Sequence, residues 1–252
     1  MGEIVHRHDR PRFLSALFAP AERREALFAL YAFNYEVAKT REVVTEPVLG
    51  QIRLQWWRET IAGIYAGRPA RHEIVEALAE AVARCRLSAV HFETLLQARE
   101  EDLAAEPPPT LAALERYAEG TGGALTLLAL EALDAAEAAE AGRHVGIGYA
   151  LAGLLRAAPL HARIGRSVLP AEFGDDRRAV EAIVAAARRH FAAGRAAGAP
   201  RRALPALLPA RIAESWLDRI VAAGGNPLAP SVARHDALAA ARLALSAWRG
   251  RW

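Results

Sequence analysis

The 252-residue sequence holds one cysteine, Cys85, and one lysine, Lys39. A single cysteine excludes an intrachain disulfide and fits a reducing compartment. Nothing around Cys85 activates a thiol, so it reads as a small apolar side chain. No apolar run reaches the roughly 20 residues that span a bilayer. "GIGYALAGLLRAAPL" is cut by Arg156 and "GALTLLALEAL" by Glu131. "MGEIVHRHDRPRF" has no apolar core of a secretory signal. A cytoplasmic location is the expectation. No segment alternates with period two long enough to make a strand. There is no phosphate-cradling glycine loop, zinc-ligand spacing or nucleophile elbow. Basic patches interleaved with aromatics are missing too, so no nucleic-acid partner is expected.

What remains is rich in Ala, Leu and Arg, with 53% hydrophobic residues and a net charge of +3. Ala and Leu are strong helix formers, so an all-α fold follows, as one domain over 1–252 of roughly eight to eleven helices. "ERREALFALYAFNYEVAKTRE" has helical spacing, with Pro20 where a helix start tolerates it. "EPVLGQIRLQWWRETIAGIYAG" starts after Thr45 and stops at Gly67, with an expected core face of Leu49, Ile52, Leu54, Trp56, Trp57, Ile61 and Ile64. "RHEIVEALAEAVARCR" and "AVHFETLLQAREEDLAA" are two more amphipathic helices, and Thr110 caps "LAALERYAEG" after the breaker "EPPPT". His6 and His8 fall on an end expected to fray. His144, His161, His190 and His235 lie on separate predicted helices and read as structural or exposed. The Arg-rich helices 177–202 and 233–252 allow peripheral contact with the inner face of a membrane.

Three stretches together resemble the squalene/phytoene synthase family. "RFLSALFAPAERREALFALYAFNYEVAKTREVV" is similar to its entry region, "IRLQWWRETIAGIY" to its "WWR" helix, and "GYALAGLLRAAPLHARIGRSVLPAEF" to its second acidic helix and exit. "RYAEGTGGAL" is similar to the mid-chain Tyr–Gly segment. The resemblance implies a helical bundle of the isoprenoid synthase type with a central cavity. It also implies Mg²⁺, held by paired carboxylates on facing helices and activating a diphosphate.

Placed on this sequence, the first acidic motif falls on Ala38 to Glu42, where only Glu42 is acidic and Lys39 and Arg41 add positive charge. The second falls on Ala157 and His161. No cofactor is therefore expected, although Mg²⁺ belongs to the family. A subgroup with this pattern is the mitochondrial complex I assembly factor 6 group. It is resembled at Ala32, Phe33, Asn34, Glu36 and Ala38, at Arg53, Gln55, Trp57 and Arg58, and at Leu155, Arg156, Ala157, Pro159 and His161. That implies a non-catalytic factor in assembly of respiratory NADH dehydrogenase, with a complex I subunit or assembly protein as partner. Two other readings stay open. One is a prenyltransferase in which Lys39, Arg41 and Arg156 bind diphosphate in place of metal. The other is a carrier of a prenyl or lipid ligand.

The cavity or ligand candidates are Asn34, Glu36, Arg41, Trp57, Arg58, Tyr117, Arg156, His161 and Arg166. Pro159 is expected to kink its helix and free a carbonyl. Glu100, Glu101 and Asp102 are the acids whose convergence on the cavity would restore a metal site.

Overall fold

The computed structural model describes residues 1–252 except 45, 105, 164 and 234–237, and the side chains of Arg41 and Ala233 also lie outside the described residues. His235 falls in that gap. Among the described residues the secondary structure is helical, without strands. In chain order the helices are α1 (Gly2–His8), α2 (Arg10–Ala16), α3 (Ala21–Ala38), α4 (Thr40–Val43), α5 (Pro47–Tyr65), α6 (Glu73–Cys85), α7 (Ala89–Glu100), α8 (Leu111–Ala118), α9 (Ala124–Ala132), α10 (Ala139–Arg163), α11 (Asp176–Ala197), α12 (Leu204–Leu207), α13 (Pro209–Ala222), α14 (Pro230–Ala233) and α15 (Ala239–Arg249).

The bundle is built around α3 and α10. In α3 the run Ala26–Phe33 is buried on every side, as a helix apolar all round must be. It packs against α1, α6 and α9. α10 packs against α9, α11 and α13. Where α10 crosses the π-helical turn Glu119–Gly123, the two backbones nearly touch. A Cβ on Gly146 would sit 2.3 Å from the Gly122 carbonyl oxygen, so this crossing requires glycine. The Thr110 hydroxyl accepts from Ala113 N at 3.1 Å and caps α8 as the sequence predicts. Pro47 stands in the first turn of α5, the position a helix start favours.

Two expectations are corrected. On α5, Leu54, Trp57, Ile61 and Ile64 are buried, but Leu49, Ile52 and Trp56 are exposed. Apolar spacing marked a wider face than the packing against α6 and α7 covers. The expected frayed end is helix α1, where His8 stacks on Tyr35 at 4.0 Å and His6 meets Phe13 edge-on. α10 runs through Pro159 to Arg163 as one helix, and Pro159 lacks the amide hydrogen that would bond the Leu155 carbonyl oxygen.

Candidate ligand cavity

A cavity of about 160 Å³ lies between α2, α3, α7, α8, the π turn and α10. Its walls carry two buried arginines, each held by a carboxylate and a phenol. On one side Arg12 donates from Nη1 to Asp9 Oδ2 at 2.9 Å. Its guanidinium lies 4.4 Å from the Tyr149 ring centre and 5.5 Å from that of Tyr31. The Tyr149 hydroxyl donates to Asp9 Oδ1 at 3.3 Å. Asp9 also caps α2 by accepting from Arg12 N, so one carboxylate serves the helix start and the buried cation.

On the other side Arg99 Nη1 donates to Asp102 Oδ2 at 3.1 Å and to the Tyr117 oxygen at 2.8 Å. The Tyr117 hydroxyl in turn donates to Asp102 Oδ1 at 2.7 Å. Arg166 Nη1 donates to the Asp102 carbonyl oxygen. Arg99 Nε is buried with no hydrogen-bond partner among the described residues.

Burial opposes the charge on Arg12, but Asp9, Tyr149 and Tyr31 outweigh it, and its pKa is raised. Burial likewise opposes the Arg99 charge, as does Arg12, while Tyr117 and Asp102 carry its pKa upward. Burial pushes the phenols of Tyr31 and Tyr149 up, with help from Asp9 and against Arg12, so both stay protonated.

Of the nine residues singled out from sequence, Asn34 and Tyr117 line this cavity. Glu36 lies beyond it in a network at the end of α3, with Lys39 Nζ at 2.6 Å and Arg53 Nη2 at 2.8 Å. Arg53 Nε also donates to Thr40 Oγ1 at 3.1 Å, so Lys39 and Arg53 share one carboxylate. Trp57 packs edge-on against Phe33 at 5.2 Å in the core. Arg58 braces α5 to α7 through Glu93 and Glu100, each at 2.9 Å. Its hydrogen bond to Glu100 is the largest cause of a raised pKa.

Arg156 is exposed, with its guanidinium 4.5 Å from the Trp216 ring centre. His161 and Arg166 line a separate cavity of about 410 Å³, between the end of α10, the start of α11 and the turn after α13. The side chain of Arg41 lies outside the described residues.

The sequence reading missed Asp9, Arg12, Arg99 and Tyr149. Both ion pairs have i,i+3 spacing, Asp9–Arg12 and Arg99–Asp102, a signal that surface pairs share. His144 and His190 were placed on separate helices. They meet with Nδ1 atoms 2.9 Å apart, and His190 Nε2 lies 3.3 Å from Glu115 Oε1.

A family metal has little to hold it here. Asp9 and Asp102 are committed to guanidinium and phenol donors, and Glu100 to Arg58. Glu101, pushed up mainly by burial, faces a neighbouring cavity of about 260 Å³. No group of three or more His, Cys, Asp or Glu among the described residues has the arrangement to hold a metal ion. The donor set does not fit Mg²⁺, which needs several converging oxygens.

An all-helical bundle of the isoprenoid synthase type is the class this architecture defines. The chain belongs to the squalene/phytoene synthase family, whose model matches residues 5–249. Among solved structures it is similar in fold to a dehydrosqualene synthase in complex with ligand, at a TM-score of 0.82 and 15% identity over 98% of this chain and 94% of that one. The squalene synthase HpnC from Alicyclobacillus acidocaldarius gives 0.77 and 21% over 90% and 93%. Among curated proteins it is 29% identical to NADH dehydrogenase (ubiquinone) complex I, assembly factor 6, of Bos taurus, over 99% of this chain and 81% of the relative. It is 28% identical to presqualene diphosphate synthase of Rhodopseudomonas palustris, over 61% of this chain and 55% of that protein.

Proposed function

We propose that this protein is a non-catalytic member of the squalene/phytoene synthase family that acts in assembly of respiratory NADH dehydrogenase. The observation that carries this is the charge balance of the cavity. Its two guanidinium groups are each neutralised by an adjacent carboxylate, and each carboxylate is further held by a phenol. Such a wall supplies neither clustered carboxylates for a metal nor two spare cations for a diphosphate. Ala38, Ala157 and His161, where the family resemblance puts metal-binding acids, fit the same reading. The relatives named complex I assembly factor 6 from Bos taurus and Homo sapiens match 99% and 98% of this chain. The partner is then a complex I subunit or another assembly protein.

Deleting the gene tests this. Native gels of the membranes should show less assembled NADH dehydrogenase, restored by the wild-type gene. Unchanged assembly rejects the proposal.

A second reading, prenyl transfer, is favoured by the similarity to presqualene diphosphate synthase. Purified protein incubated with labelled farnesyl diphosphate, with and without Mg²⁺, separates the two. We expect no product. Product formation lost in Arg12→Ala would establish the enzymatic reading and place diphosphate at the cavity wall.

A further inference from the structure

Helix α5 is apolar on both sides, and only one side is covered. Leu54 and Trp57 beneath it are 1% exposed. Gly50 lies so close to the Leu103 side chain, in the turn after α7, that a Cβ there would collide with it. The inner side is therefore close-packed. On the outward side, four of the fifteen large apolar side chains exposed among the described residues stand on the first three turns: Val48 at 61%, Leu49 at 50%, Ile52 at 60% and Trp56 at 41%. Val48, Ile52 and Trp56 are at i, i+4 and i+8, which is one stripe on a helix. Scattered apolar residues need no explanation, but a group on one face marks an interaction surface. A groove of about 530 Å³ opens there, lined by Ile52, Trp56, Gln55, Arg58, Glu59 and Glu100.

The charge in this groove is negative. Arg58 is shared by Glu93 and Glu100, both about half exposed. Glu59 is exposed, accepts from the Gln55 amide at 2.9 Å and has no cation partner among the described residues. One guanidinium thus meets three carboxylates. The opposite flank is balanced, with Arg71 and Glu73 on either side of His72, whose ring meets Trp56 edge-on at 5.8 Å. Before the helix, Glu46 is exposed, and Arg41, whose side chain lies outside the described residues, is followed by Glu42. Lys39 and Arg53 are drawn to Glu36. The chain as a whole carries +3, so the sign of this face is local.

We propose that the outer face of α5 is a docking groove for one amphipathic helix of a partner protein, a helix with an apolar stripe and lysine or arginine along its edge. The partner's apolar side chains cover Val48, Ile52 and Trp56, and its cations reach Glu59, Glu93 and Glu100. Helix-in-groove recognition has this form, with apolar anchors one turn apart giving affinity and opposite charge at the rim giving orientation. One helix laid along a stripe about 12 Å long covers less than the roughly 800 Å² per partner of a stable complex, so the contact is of the transient kind. An anionic bilayer is repelled by the same carboxylates. A second copy on a two-fold axis brings the same excess of acid from both sides. The partner's identity rests on the complex I reading, and its chemistry on the groove alone.

The probe is a synthetic leucine–lysine amphipathic peptide of about five helical turns, beside a mate with glutamate in place of lysine. Fluorescence anisotropy against the full chain should show the lysine peptide binding roughly tenfold or more tighter than the glutamate one, with added salt narrowing the difference. Val48→Ser with Ile52→Ser should weaken the lysine peptide roughly tenfold or more, and Glu59→Lys roughly threefold. These side chains are exposed, so circular dichroism melting should match the parent. In a deletion strain the double variant, present at the parent's level, should fail to restore NADH dehydrogenase assembly. Equal binding of the two peptides, binding of neither, full binding by the double variant or full assembly in its strain overturns the proposal. So does an oligomer that the double variant dissociates in light scattering, or pelleting with phosphatidylglycerol vesicles that it loses, because the face then meets a second copy or a membrane. If deleting the gene leaves assembly unchanged, the complex I reading fails, and the peptides still decide the groove.

Discussion

Arginine meets carboxylate in two regions of this molecule, and the setting decides what each pair is worth. At the cavity, Asp102 is 6% exposed and Arg99 15%, with Tyr117 closing the ring of bonds. On the outer surface, Arg7–Glu3 and Arg177–Glu181 have comparable or shorter distances but are more than half exposed. Water has been taken from the first group and not from the second. Removing one partner at the cavity leaves a charge in a low dielectric, whereas on the surface it leaves a solvated side chain. A net-neutral cavity wall is therefore also a rigid one. Tyr149 ties α10 to Asp9 at the start of α2, and Tyr117 ties α8 to Asp102 after α7.

The strongest way to break the comparison is Asp102→Ala. It strands the Arg99 guanidinium and the Tyr117 hydroxyl together, and we expect a loss of about 3–5 kcal/mol in urea unfolding. Asp9→Ala strands Arg12 in the same way, but Asp9 is 17% exposed, so the loss should be smaller. Equal and negligible losses at both sites would mean that the cavity is as wet as the surface. Replacing both members, Arg99→Met with Asp102→Leu, should recover most of the stability, within about 1–2 kcal/mol of the parent. That recovery separates the worth of the pair from the cost of an unpaired charge.

These pairs also mark where the sequence stopped being legible. The helices were readable because their apolar residues recur with helical spacing and their ends carry Thr110, Pro47 and Gly67. The burial of Trp57 followed from the same pattern, but the all-round burial of Ala26–Phe33 in α3 did not. The site did not follow. Asp9–Arg12 and Arg99–Asp102 look like the i,i+3 pairs of any solvated helix, and only the covering helices make them interior. The outward face of α5 failed for the converse reason. Leu49, Ile52 and Trp56 have core spacing, but the packing leaves them 50%, 60% and 41% exposed. Spacing reports which residues share a face, and tertiary packing decides whether that face is wet.

The His144–His190 contact lies between the two regimes, half-buried at the α10–α11 interface. Both pKa values are lowered, chiefly by burial. Arg143 adds to this for His144, against Glu140 and Glu119. His144 and Arg189 add to it for His190, against Glu115. The 2.9 Å contact between Nδ1 atoms requires at least one neutral ring to accept. With folded values below the unfolded one of about 6.5, the unfolded chain binds more protons as pH falls. The contribution is thus complete above that value and is lost on acidification through the window below it. The melting temperature should fall between pH 7.5 and pH 5.5 by more than in His144→Gln/His190→Gln. Equal slopes in parent and variant would show that the pair does not titrate on unfolding.

The smallest effects should come from the surface pairs, and they set the floor of the comparison. Arg58→Ala removes the bonds from α5 to Glu93 and Glu100. Both acids are about half exposed, so water can replace the guanidinium on each. A bidentate brace between two helices still restrains more than an isolated pair, and we expect about 1 kcal/mol. Arg177→Ala, which breaks an i,i+4 pair on one exposed helix, should cost no more than about 0.5 kcal/mol. Measured together by urea unfolding, the series Asp102→Ala, Asp9→Ala, Arg58→Ala and Arg177→Ala should fall in that order, and added salt should shrink only the last two. If Arg58→Ala proves as costly as Asp102→Ala, the brace between α5 and α7 rather than the cavity wall is what fixes the fold.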